Sequence, residues 1–236
     1  MTFLAMDTSG DHAVLALADE GAGGALRAAR VFHGRRSLSR RLLGEVDGLL
    51  VGEGMTLADV SALAVGLGPG SFTGVRVGVT TAKTLAQVTG KPLVGVPTLN
   101  AYAEAWGQDV PTLVVILPSR RGEAYAAVYR AAEPLPEPFA ESVEAMERRL
   151  KAMVEAGEQV ACCGAIDLLA ERPGLSRSQP HVPPEGLARA AAGRLNNGLT
   201  DDPLALVPLY VVPPAISTPK NAFPAPQLLG AGEPVP

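Results

Sequence analysis

Gly66-Leu67-Gly68-Pro69-Gly70-Ser71-Phe72-Thr73-Gly74-Val75-Arg76 is the stretch on which the reading of this chain turns. It follows the short apolar run Ala62–Val65 and leads into the run Val75–Val88, so it reads as a strand, a glycine-rich loop and a helix start. Such a loop is an anion site by physics, because exposed amides meet the positive end of a helix dipole. It lacks the lysine that a Walker loop places beside its serine or threonine. Pro69 and Thr73 flank Ser71 where a hydrolase elbow needs glycines. The competing structural reading is a tight turn that uses glycine for positive φ. Beyond the loop, Gly70, Gly74, Gly78, Ala82 and Ala86 recur every four residues and share one helical face almost free of side chains. That stripe could seat the helix on its own sheet. With Val75 and Val79 beside it, the expectation is instead a subunit interface.

Working outward, Phe3–Met6 is an apolar run closed by the turn cluster Asp7-Thr8-Ser9-Gly10-Asp11, and His12–Ala18 and Ala28–Phe32 follow as further strands. Leu42, Leu43, Val46, Leu49 and Leu50 predict an amphipathic helix over 39–51. Thr56 and Asp59 mark a short helical start, Leu93–Val96 a strand, and Thr98 a cap for the helix carrying Tyr102 and Trp106. The order β-β-β-α-β-α-β-α places a first lobe at 1–106 and a second at 107–221. In the second, Leu113–Leu117, Ala124–Tyr129 and Gln159–Cys163 read as strands. Helices are expected over Val143–Val154 and from Pro183-Pro184-Glu185 to Leu195. Asp167 reads as the cap of a short helix ended by Pro173-Gly174. Residues 222–236 read as a mobile tail.

The chain of 236 residues is 47% hydrophobic but only 4% aromatic, so its core must be aliphatic and alanine-rich. A formal net charge of −4 argues against gripping nucleic acid unaided. No signal peptide or membrane-length apolar run is legible, and a cytoplasmic protein is expected. The only cysteines, Cys162 and Cys163, are neighbours, and strand alternation predicts one buried and one half-exposed thiol. His12, His33 and His181 lie far apart and share no helical face, which speaks against a zinc or iron site. Arg35, Arg36, Arg40 and Arg41 crowd a helix start, suited to a solvated face or an acidic partner.

Asp7-Thr8-Ser9 after a buried strand resembles the first phosphate-and-metal turn of sugar kinases, heat-shock ATPases and actin, a weak signal alone. Taken with Ser39-Arg40-Arg41-Leu42-Leu43, the block Gly68–Gly78, Thr81-Ala82-Lys83, Pro92–Val96, Arg120-Arg121-Gly122-Glu123 and Pro208-Leu209-Tyr210, the chain resembles the TsaB (YeaZ) family of tRNA threonylcarbamoyladenosine biosynthesis. The likeness is dense over 1–130 and thin beyond.

The resemblance implies an α/β, actin-like ATPase (ribonuclease H-like) fold of two lobes, the second shortened. It implies a non-catalytic, activating subunit of the complex that installs threonylcarbamoyl on the adenosine beside the tRNA anticodon. Expected partners are the catalytic homologue TsaD, the small P-loop ATPase TsaE and a second copy of the chain, with tRNA met only through the complex and no membrane. No cofactor is required by this chain, ATP or ADP belonging to the assembled complex. Partner contacts fall to Arg40, Arg41, Gly70, Ser71, Phe72, Thr73, Gly74, Val75, Arg76, Gly78, Val79 and Ala82, and any residual nucleotide contact to Asp7, Thr8 and Ser9. Leu38 replaces a histidine common in the family, Pro118-Ser119 an Asp-Ala pair, and Val212 an arginine. Two other classes compete: an active actin-like kinase or ATPase, and a glycoprotease-like metalloenzyme.

Overall fold

The computed structural model describes residues 1–34, 37–107, 110–120, 122–131, 133–171 and 175–212. Arg35, Arg36, Pro173, Gly174 and the tail from 222 lie outside the described residues. The chain opens with three antiparallel strands, β1 (Thr2–Asp7), β2 (His12–Asp19) and β3 (Ala25–His33). Helix α1 (Leu38–Gly52) follows, then β4 (Leu63–Gly66), α2 (Phe72–Thr89), β5 (Leu93–Val96) and α3 (Thr98–Trp106). Both β4 and β5 run parallel to β1, giving the order β3-β2-β1-β4-β5.

The second half repeats this plan. Strands β6 (Thr112–Pro118), β7 (Glu123–Arg130) and β8 (Phe139–Ser142) are antiparallel, and α4 (Val143–Glu155) leads to β9 (Val160–Gly164). A single 3-10 turn, Ile166–Leu168, stands where α2 stood, followed by β10 (Leu175–Ser178) and α5 (Pro184–Asn196). The sheet order is β8-β7-β6-β9-β10, the same arrangement as the first. Asp167 lies inside that 3-10 turn, and Ala165 is its N-cap. Strands β8 and β10 escape the sequence reading because they are short and half-buried or exposed, with no apolar alternation to betray them. Among the described residues no helix is long and apolar enough to cross a membrane.

Strands β1, β2, β4, β5, β6 and β9 are near-continuous apolar runs because both of their faces are covered. On the first sheet, Leu4, Met6, Leu15 and Leu17 pack beneath α1 and α2, while Phe3, Ala5, Val14 and Ala16 face the second sheet. Between the sheets lie α3 and α5, packed on each other. Helix α3 lies against strands of the second sheet and α5 against strands of the first. Small residues permit this: a Cβ on Gly186 of α5 would collide with the Ala101 carbonyl of α3. After α5 the chain returns along the first sheet. The Asp201 carboxylate accepts from Gly95 N at 2.7 Å, Lys83 Nζ donates to the Leu206 carbonyl at 2.8 Å, and Leu209 N donates to the Leu67 carbonyl at 2.8 Å.

The cysteines depart from the expectation of one half-exposed thiol. Cys163 faces the shared core and Cys162 the layer under α4, so both are buried. Burial pushes each thiol up to about 12. Neither should react with an aromatic disulfide reagent at neutral pH in the native state. Labelling is expected to follow global unfolding, and stoichiometric modification of the folded protein within seconds would contradict this packing.

Candidate functional site

Strand β1 delivers Asp7 to the head of the first sheet, where its carboxylate is fully buried. One oxygen accepts from Ser9 N at 2.7 Å and the other from Thr98 Oγ1 at 2.7 Å. Thr98 is therefore not the cap of α3, whose N-cap is Pro97. Its hydroxyl instead joins Asp7 to the glycine loop, accepting from Gly68 N at 3.1 Å. Thr8 is equally committed, donating to the Gly74 carbonyl at 2.8 Å. Burial, the largest influence, raises the Asp7 pKa against the lowering effect of the Ser9 and Thr98 hydrogen bonds.

The glycines of the loop and helix fit around this knot. A Cβ at Gly66 would strike the Asp7 carboxylate, at Gly70 the Ser9 carbonyl, at Gly74 the Thr8 carbonyl and at Gly78 the Thr8 hydroxyl. Gly68 sits at φ +88, with a cis peptide bond to Pro69. Ser71 caps α2, accepting from Gly74 N at 3.3 Å while its own amide donates to the Ser9 carbonyl at 2.7 Å.

The structure thus corrects the expectation that the four-residue stripe meets a partner. Gly74, Gly78, Ala82 and Ala86, with Val75 and Val79, are buried against the chain's own β1 and β4, and Gly70 is half-buried on Ser9. The remaining candidates lie on the surface: Arg40 and Arg41 on α1, and Ser71, Phe72, Thr73 and Arg76 on α2. Arg41 is engaged there, its Nη2 donating to Glu45 at 2.6 Å. That contact first, then the one to Arg30, holds the Glu45 pKa below its ordinary value. Leu43 and Val88 are exposed on the same two helices.

A cleft of about 820 Å³ opens between the sheets above the knot. Ser9, Asp11, Pro69 and Ser71 line one side, Leu117, Ser119 and Arg120 the other, with Tyr102 near its floor. Asp7 and Thr8 do not line it; of the Asp7-Thr8-Ser9 turn only Ser9 does. Pairing registers make the two sheets comparable, and the place of Asp7 in β1 is taken by Leu117 in β6. The cleft therefore lacks a matched pair of carboxylates from the two hairpins. The histidines, distant in sequence, converge: His181 lines the cleft and lies 6.2 Å from His12, which stacks on His33 with centroids 4.8 Å apart. Among the described residues no group of three or more His, Cys, Asp or Glu is disposed to hold a metal ion.

Sequence reasoning missed Thr98 as a ligand of Asp7 and Tyr210 as a neighbour of α2. Arg76 Nε donates to the Tyr210 hydroxyl at 2.9 Å, across 134 positions, and no local spacing announces such a contact.

A duplicated β-β-β-α-β unit with a cleft between the halves defines the actin-like ATPase class of folds. A solved structure from Pseudomonas aeruginosa, described as similar to peptidase YeaZ, superposes with a TM-score of 0.73 at 24% identity, covering 89% of this chain and 99% of that one. The family model for TsaD, tRNA N6-adenosine threonylcarbamoyltransferase, matches residues 33–178. The tRNA threonylcarbamoyladenosine biosynthesis protein TsaB of Escherichia coli is 38% identical over 138 residues, 56% of this chain and 57% of that protein. An uncharacterized Mycobacterium bovis protein is 32% identical over 186 residues, covering 77% and 78% of the two chains. The chain belongs to the TsaB (YeaZ) family, itself homologous to TsaD, and its match spans little more than half of the E. coli relative.

Two substitutions test the knot. Gly78→Leu should destabilise the fold by about 1–3 kcal/mol or more, because the buried Thr8 side chain, itself bonded to the Gly74 carbonyl, leaves no room; a melting temperature equal to wild type would refute the inward stripe. For Asp7, a folded pKa above the ordinary 3.8 means that the native state keeps its proton to higher pH than the unfolded chain does. Its stabilising contribution is then present at acid pH and lost on the way to neutral. The melting temperature of Asp7→Asn relative to wild type should accordingly climb as pH rises above about 4. A constant or falling difference would contradict the assignment.

Proposed function

We propose that this chain is the non-catalytic, activating subunit of the complex that installs threonylcarbamoyl on the adenosine beside the tRNA anticodon. It docks its catalytic homologue TsaD through the outer face of α1 and α2, and TsaE completes the assembly. What supports the non-catalytic reading most directly is the state of Asp7. Both its oxygens are spent inside the fold, and its counterpart in the second sheet is Leu117. The acids that do line the cleft, Asp11 and Asp167, stand in a turn and a 3-10 turn, away from the matched strand positions held by Asp7 and Leu117. Exposed Leu43, Phe72 and Val88, with Arg40 and Arg76 among them, give the α1–α2 face the mixed apolar and arginine character of an interface. A second copy would use the same face in a self-dimer.

The net charge of −4 fits a subunit that meets tRNA through its complex. The chain needs no cofactor, ATP or ADP binding in the assembly, and works in the cytoplasm. One observation favours a second reading, an actin-like kinase with its own nucleotide site: the cleft is large enough for a nucleotide.

Mixing experiments decide between them. The isolated chain should neither hydrolyse ATP nor modify tRNA, and should bind tRNA no tighter than micromolar at physiological salt. TsaD and TsaE together should modify tRNA substantially faster with the chain than without it. Robust ATP turnover by the chain alone, abolished by Asp7→Ala, would overturn the proposal in favour of the kinase.

A further inference from the structure

At the N-terminal end of α2, Arg76 is held between two rings. Its guanidinium carbon lies 3.8 Å from the Phe72 ring centroid and 5.9 Å from that of Tyr210, and Nε donates to the Tyr210 hydroxyl. The two rings lie 5.5 Å apart, and both are exposed, Phe72 at 40% and Tyr210 at 43%. Tyr210 is itself fixed. Leu209 beside it donates to the Leu67 carbonyl, and Lys83 of α2 ties down Leu204 and Leu206 just upstream.

Several arginines among the described residues already have a carboxylate: Arg27 has Asp19, Arg30 and Arg41 share Glu45, Arg149 has Glu141, and Arg194 has Asp201. Arg76 differs. Among the described residues neither of its Nη groups has a hydrogen-bond or ion-pair partner. A guanidinium whose plane is set by stacking, and whose Nε is spent on a phenol, still offers the two Nη donors in a fixed fork. That fork matches the two oxygens of one carboxylate. Because the side chain is already ordered, little conformational entropy remains to be lost on binding.

We infer that the Phe72–Arg76–Tyr210 cluster is the anchor of the partner interface, and that it takes an aspartate or glutamate side chain of the catalytic homologue. The inference rests on the proposed docking of that homologue on α1 and α2, whose exposed surface the cluster continues at the loop end. Charge favours a protein carboxylate over an RNA phosphate. The chain as a whole repels a polyanion at −4, whereas a single desolvated carboxylate needs only the local cation.

The test is titration of purified TsaD with wild-type chain, Arg76→Lys, Arg76→Ala and Tyr210→Phe, each checked by thermal melting, with an anticodon stem-loop RNA as a separate probe. Arg76→Lys keeps the charge but loses fork and stacking, so both arginine variants should weaken TsaD binding at least about tenfold. Tyr210→Phe keeps the ring and should weaken it less. The melting temperature of Arg76→Lys and Tyr210→Phe should stay near wild type. Unchanged TsaD affinity in both arginine variants, with wild type binding normally, would overturn the anchor and leave the proposed function standing. A loss confined to the RNA probe would overturn it in favour of phosphate. Failure of the wild type to bind TsaD would bring down the docking proposal and the anchor with it.

Discussion

The buried carboxylate of Asp7 is the contact around which this chain is organised. Ionisable groups are seldom fully buried, because desolvation disfavours their charged form unless hydrogen bonds replace the lost water. Here Ser9 and Thr98 supply those bonds from opposite sides. Through Thr98 the carboxylate reaches the Gly68 amide, and Thr8 next to it reaches the first turn of α2. One acid thus ties together β1, the glycine loop, α2 and α3. The glycines at 66, 74 and 78 follow from this knot, since each stands where a side chain would displace one of its members.

The duplicated sheets show what happens when the same framework is built without that acid. Leu117 takes the corresponding place in β6, its side chain joining the shared apolar core and lining the cleft. The second half also replaces α2 with a single 3-10 turn. Without a helix to seat, no glycine stripe is required there, and the chain spends its small residues on α5, where Gly186, Ala188, Ala191 and Ala192 let that helix lie close to α3 and the first sheet.

Much of the fold was legible in the sequence, because α1, α2, α4 and α5 carry apolar positions at helical spacing and the buried strands are unbroken apolar runs. The direction in which a surface faces was not. A stripe of glycine and alanine every four residues says that a backbone comes close, but not whose. The answer lies in Thr8 and Ser9, residues more than 60 positions away. The expectation of one half-exposed thiol fails for a related reason: alternation tells which face a residue takes, and only the presence of α4 decides that the face holding Cys162 is covered. Thr98 read as a cap because its local context is that of one, whereas its partner Asp7 lies 91 positions upstream. The imidazoles of His12 and His33 meet because β2 and β3 pair in register, and His181 reaches them only because the second lobe folds back over the first.

The return of the chain along β5 has a colloidal consequence. A strand at the end of a sheet presents unpaired amides and carbonyls that invite another chain to add itself. Asp201 occupies that position: its amide donates to the Leu93 carbonyl, its carboxylate accepts from Gly95 N, and Arg194 pins it from α5. Leu206 then covers apolar surface beneath α2. A proteolytic nick that released this segment would uncover an apolar strand of sequence Leu-Val-Gly-Val with open hydrogen-bonding sites, without necessarily melting the rest of the domain. The short stretch after α5 is thus what separates a dispersed protein from one able to grow by strand addition.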